Sequence, residues 1–239
     1  MLSTEKSVLE KDPLKYIWMI YGEHGIGKTT MCSQMQDPYF IATEPGHKFH
    51  RLFKTDVVDW AHFQATVDEL TGSQKQFKTV VIDTITEAWN LCVDAICFDR
   101  KWDHVSEGAQ GKGYDLAKAE FRRTIMKIPK KNLGLVFVAH RGELILRNRG
   151  DERSKLIPDM MKTCRNVVLP LADMVGYMYA DTVLDKEKGA MDTKRFITFA
   201  PNPDVENKDR SGLLAASGRI MVEPVQKCWE TISDKFKGA

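Results

Sequence analysis

Residues 22–29, reading GEHGIGKT, fit the pattern G-x-x-x-x-G-K-[ST] in full. The pattern has a mechanism. Its glycines let the backbone curl until successive N–H groups converge on an anion, its lysine carries an ammonium to β- and γ-phosphates, and its threonine hydroxyl can join a Mg²⁺ shell. The surroundings agree with the letters: the apolar run 16–21 (YIWMIY) stands directly before the loop, and a helix-compatible stretch, 29–35, directly after it. ATP and Mg²⁺ are the expected ligands, with Gly22, Glu23, His24, Gly25, Ile26, Gly27, Lys28, Thr29 and Thr30 around the nucleotide. A plain glycine turn at a strand end is the competing reading.

A metal beside the phosphates needs a second oxygen ligand, and the apolar run 79–83 (TVVID) ends in Asp83. If that run is a strand beside the phosphate-loop strand, its carboxylate emerges at the carboxyl edge of the sheet, where ligands bind in open α/β folds. Thr29 and Asp83 are thus the expected metal pair, with a helix N-cap as the alternative role for Asp83. Thr84 follows it instead of a glutamate, so a water-activating base must come from elsewhere. Glu44 ends the run 39–43 (YFIAT) just before Pro45-Gly46 turns the chain, and could orient a water for in-line attack on a terminal phosphate. Glu87 is the reserve, and an ordinary turn carboxylate the bland alternative for Glu44. His140 ends the run 133–139 (LGLVFVA), where a polar group could sense a γ-phosphate and pass the difference onward; a structural histidine competes with that reading.

These side chains need strand ends to hold them. Six short apolar runs (16–21, 39–43, 79–83, 133–139, 174–179 and 195–200) alternate with segments such as 84–98 and 116–128 that carry apolar residues at spacings of three and four. That alternation predicts an α/β fold with a mostly parallel central sheet flanked by helices. One domain over 1–239 is the simplest account, with a tail at 1–14 and a closing helix at 225–236. Two stretches, 100–115 and 141–158, are poor in apolar periodicity and read as long loops.

The chain has 35 basic and 33 acidic side chains, so no overall charge drives it onto nucleic acid or a membrane. The charge is uneven, however. Seven basic residues stand against four acidic ones between 141 and 165, a local excess of three. Arg141, Arg147, Arg149, Arg153 and Lys155 suit sequence-independent phosphate contact, and Lys101, Trp102 and Lys112 in the other stretch add cations and a ring for base stacking. A solvated loop is the competing account of both. Five scattered cysteines without a C-x-x-C argue for a reduced, cytoplasmic setting, and no apolar run approaches the roughly 18 residues of a membrane span.

The order of phosphate loop, strand-end Glu44, strand-end Asp83 and strand-end His140 followed by basic residues resembles the RecA-like P-loop ATPase core. More closely, it is similar to phage AAA-type nucleotide-binding proteins, among them the core-only RecA-like single-strand annealing recombinases. The stretches that carry the likeness are YGEHGIGKTT, YFIATEPG, Asp59-Trp60, FKTVVIDTITEAWN, GLVFVAH and LADMV at 171–175, with KRFITFAPNP and NKDRSG in the tail. The resemblance implies an ATPase stimulated by DNA and by assembly, with Glu44 as its catalytic glutamate. His140 takes the place of a glutamine that couples nucleotide to DNA. It also implies single-stranded DNA as partner, a homo-oligomeric ring or filament, and a single-strand-binding protein as a further partner. Lys208 and Arg210 are similar to a K-x-R pair that hexameric relatives present to a neighbour's γ-phosphate; a solvated turn is the alternative. A P-loop nucleotide kinase with an arginine-rich lid, or a nucleotide-gated interaction module with little turnover, are the competing functions.

Overall fold

In the computed structural model, residues 10–46, 48, 50–72, 76–148, 151–185 and 190–237 are described. The sheet is built around β1 (Ile17–Gly22), five of whose six residues are buried. A strand that apolar on consecutive residues is covered on both faces. It pairs in parallel with β5 (Gly134–Asn148) on one side and with β7 (Met174–Asp185) on the other. Beyond β5 the parallel sheet continues through β4 (Thr79–Asp83), β2 (Pro38–Ala42) and β3 (Phe53–Asp56). Beyond β7 it turns antiparallel with β8 (Ala190–Thr198) and β10 (Arg219–Met221). The order is β10-β8-β7-β1-β5-β4-β2-β3, with β6 (Asp151–Pro158) paired to β5 and the two-residue β9 (Lys208–Asp209) paired to β7.

The period of two along each strand sorts the side chains into two cores. Met19, Tyr21, Val80, Ile82, Leu135 and Phe137 pack with α2 (Trp60–Gly72), α3 (Ile85–Arg100), α4 (Lys112–Ile125), the short α5 (Lys127–Lys130) and α6 (Lys162–Leu171). Trp18, Ile20, Val81, Val136 and Val138 pack on the other face with α1 (Lys28–Cys32) and α7 (Cys228–Lys237). By the same parity Asp83 and His140 follow Val81 and Val138 onto the face of α1. Helix α7 closes that face after one 3-10 turn at Val225–Lys227, and Gln34 ties the two ends of the chain by donating from Nε2 to the Val225 carbonyl at 2.7 Å.

Three expectations need correction. The strand ending in Asp83 does not lie beside β1, because β5 stands between them; neighbours in sequence order need not be neighbours in a sheet wound by crossovers. The segment 141–158 is no loop. It is a β-hairpin, paired from Arg141↔Pro158 to Asn148↔Asp151, so His140 lies within β5 and not at its end. Leu144 and Leu146 share one face of β5 with Ile157 on the same face of β6, and Arg147 faces Glu152 across the strands. The hairpin is also anchored along its second strand, where Leu156 N donates to Asp204 O and Glu206 N to Leu156 O, each at 2.8 Å.

The segment 100–115 is ordered as well. Lys101 closes α3 in the left-handed region at φ 57°, and two 3-10 turns follow, the first held by a capping box between His104 and Glu107. Val105 at its centre is buried. A Cβ on Gly113 would collide with the Val105 carbonyl, so this packing depends on the glycines that had suggested a loop.

Candidate active site

Gly22 ends β1 between His140 of β5 and Met178 of β7. Both neighbours continue past it, so the loop of residues 22–29 sits in a notch between two longer strands. Gly22 is forced there: a Cβ would lie inside the Met178 carbonyl oxygen. Gly27 holds φ 111°, where a side chain is strained and would also meet Val225 Cγ2 at 2.6 Å. Lys28 opens α1 and is buried, its Nζ donating to the carbonyls of Gly22 at 2.9 Å and Glu23 at 2.7 Å. Burial pushes the Lys28 pKa below the ordinary lysine value, opposed by the negative charges of Asp83, Glu44 and Glu23.

Despite the intervening strand, Thr29 Oγ1 donates to Asp83 Oδ2 at 2.9 Å. Asp83 is not the cap of α3; Thr84 occupies that position, and the Asp83–Thr84 peptide is cis. Glu44 follows β2, the neighbour of β4, and both its oxygens are held. Thr84 Oγ1 donates to Oε1 at 2.6 Å, and His140 Nε2 meets Oε2 at 3.2 Å. The turn that carries Glu44 is in turn fixed by Thr43, whose Oγ1 accepts from Thr84 N and donates to Thr84 O, each at 2.8 Å. The His140 ring stacks on His24, centroids 3.6 Å apart and planes within 19°. On the other face, Arg141 Nη1 donates to Glu23 Oε1 at 2.6 Å.

The donor set fits the expected ligands. Curled glycines and a buried lysine suit a polyphosphate, and a threonine hydroxyl against a carboxylate is a pair of hard oxygens of the kind Mg²⁺ takes. Thr29 and Asp83 would hold the ion, directly or through water, and it would neutralise charge on the phosphate oxygens. Glu87, the reserve base, accepts from Asn90 Nδ2 at 3.1 Å in the first turns of α3.

Other residues singled out in the sequence stand elsewhere. Lys101 and Trp102 follow the last turn of α3, about 24 Å along its 16 residues from Thr84; Lys112 begins α4 beside them. Lys208 and Arg210 lie near the start of β1, at the far edge of the sheet. Lys208 Nζ donates to the carbonyls of Leu169 and Ala172, and Arg210 Nη1 and Nη2 to Asp173 Oδ1 and Pro170 O, so both tie down the end of α6 in their own chain. The hairpin cations are paired with acids: Arg147 with Glu152, Arg153 with Asp204 and Lys155 with Glu206. Arg149 lies outside the described residues. Sequence reasoning missed Thr84 as a contributor, having registered it only as the absence of a glutamate, and missed that His24, expected only beside the nucleotide, stacks on His140.

A family described as AAA domain matches residues 14–211. The chain belongs to that family. The matched span of the AAA domain takes in the phosphate loop, Glu44, Asp83, Thr84 and His140, and the family ties the fold to nucleotide binding and hydrolysis. The domain is also 21% identical over 194 residues to the SPbeta prophage-derived uncharacterized protein YorG of Bacillus subtilis (strain 168), covering 79% of this chain and 58% of that protein. This AAA domain thus spans less than two thirds of that relative's length. Among its described residues no helix is long and apolar enough to cross a membrane.

Proposed function

We propose that this AAA domain hydrolyses ATP with Glu44 as the general base. One observation carries the reading: the Glu44 carboxylate is held at both oxygens on the sheet edge that also bears Lys28, Thr29 and Asp83. Lys28 and the loop N–H groups bind the phosphates. Glu44 takes a proton from a water whose oxygen attacks the γ-phosphorus in line, the bond to the bridging oxygen breaks, and ADP and phosphate leave. His140, between Glu44 and the phosphate loop, senses the γ-phosphate.

The proposed partner is single-stranded DNA, in phage recombination, annealing or repair of the RecA-like annealing type. A prophage-derived relative and the basic hairpin rooted at His140 support this. The Arg147–Glu152 and Arg153–Asp204 pairs are exposed, and such pairs are worth roughly 0–1 kcal/mol, so DNA phosphates can replace their acidic partners, whereas Lys155–Glu206 is half-buried. A homo-oligomeric ring or filament completes the proposal, with a single-strand-binding protein as a further partner. Phosphate release measured with and without single-stranded DNA over a protein dilution series tests it. Turnover that rises with DNA and with protein concentration is expected. Turnover indifferent to DNA removes the DNA partner, transfer to an added nucleotide acceptor makes the protein a kinase, and absence of both reactions leaves a binding module.

A further inference from the structure

His140 meets the rest of the site at one polar atom. Its Nε2 reaches Glu44 at 3.2 Å, while its Nδ1 is buried without a hydrogen-bond partner among the described residues. One hydrogen bond does not by itself fix the plane of the ring, and a turned ring would no longer present Nε2–H along the carboxylate lone pair. What fixes the plane is the face-to-face contact with His24, at 3.6 Å and 19°. His24 itself is exposed, has no hydrogen bond to a core group among the described residues, and stands at a position of the phosphate loop where the motif accepts any residue. Its neighbour Glu23 grips Arg141, so two consecutive loop residues hold two consecutive residues of β5.

We infer that His24 is a positioning residue for hydrolysis: its ring clamps His140, and His140 so clamped orients the Glu44 carboxylate. The clamp joins the phosphate loop to the base, so a shift of the loop on nucleotide binding changes the aim of Glu44. The inference rests on the hydrolytic reading above and adds a residue to it.

Three variants test it: His24→Ala, His24→Phe, which keeps a flat ring, and His140→Ala. His24→Ala is expected to lower kcat about tenfold while moving the nucleotide Kd far less, because the loop backbone and Lys28 are untouched. His24→Phe is expected to restore most of the rate, and His24→Ala is expected to add little in a His140→Ala background. An unchanged kcat in His24→Ala, or His24→Phe as slow as His24→Ala, would overturn the inference while leaving the ATPase intact. A second readout needs no turnover. The ¹⁵N imidazole signals of His140, assigned through His140→Ala, should show a hydrogen-bonded Nε2–H in the wild type and lose it in His24→Ala. Its survival there overturns the clamp even in a protein found not to hydrolyse ATP, which is the separate failure of the hydrolytic reading.

Discussion

Thr84 Oγ1 donates to Glu44 Oε1 at 2.6 Å. The residue after Asp83, where a catalytic glutamate was missing from the sequence, holds a glutamate supplied by the neighbouring strand. This arrangement needs β2 next to β4, and it separates supplying a carboxylate from aiming it.

Glu44→Gln should bind ATP with near-normal affinity and lose at least about 100-fold in turnover, since an amide cannot take the water's proton. Thr84→Val removes one of the two holds but keeps the base, so an intermediate loss of about tenfold is expected. Parallel measurement of nucleotide binding and phosphate release distinguishes these outcomes from a general collapse of the site.

Lys28→Ala should abolish nucleotide-dependent turnover. Because burial disfavours the Lys28 charge in the folded chain, its removal should not lower the unfolding temperature of the ligand-free protein. A large drop in Tm would mean that its hydrogen bonds to Gly22 and Glu23 outweigh that burial.

Gly22→Ala and Gly25→Ala look alike on paper and should differ in the tube. At Gly22 the added carbon meets backbone of β7, which cannot step aside, and a loss of roughly 3 kcal/mol or more is expected. At Gly25 nothing lies within 4 Å, and only its φ of 71° opposes a side chain, costing about 1 kcal/mol. Urea titration of the two variants checks the contrast.

Asp209, between Lys208 and Arg210, accepts from the backbone N–H groups of Ser211, Gly212, Leu214 and Ala215 and from the Ser211 hydroxyl. Burial pushes its carboxyl up, but these hydrogen bonds prevail and hold it below its ordinary 3.8. A carboxyl lowered on folding stabilises above that ordinary value and loses its contribution as pH falls through the lower, folded-state value. Asp209→Ala should therefore lower Tm by several degrees at pH 7, about 3 kcal/mol by the usual worth of charge-assisted bonds, and by progressively less below pH 4. A Tm gap that stays constant down to pH 2 would contradict the sign.

Arg147→Ala with Arg153→Ala should weaken binding of single-stranded DNA and reduce the slope of log K against log salt by about 1.4, two contacts at roughly 0.7 each. Glu152→Gln frees Arg147 from its partner and should tighten binding. Unchanged affinity in both variants would remove the hairpin from the DNA interface.

The phosphate loop, its ligand class and the strands beside it were legible in the sequence because each rests on local facts: glycines where φ is positive, and unbroken apolar runs that only a doubly covered strand explains. The order of strands was not legible, since a crossover can seat β5 on either side of β4 at equal local cost. The hairpin at 141–158 was obscured because its many charged residues, paired across the hairpin or with acids elsewhere in the chain, lower its mean hydropathy to that of a loop. Lys208 and Arg210 read as free cations until the fold brought the end of α6 against them. Above all, the contacts that aim Glu44, from Thr84 and from His140 under His24, join residues 40 to 116 positions apart in the chain. Residue types decided which chemistry was available, and only tertiary packing decided which groups stand within hydrogen-bond distance, because that distance is set by strand neighbours and not by sequence neighbours.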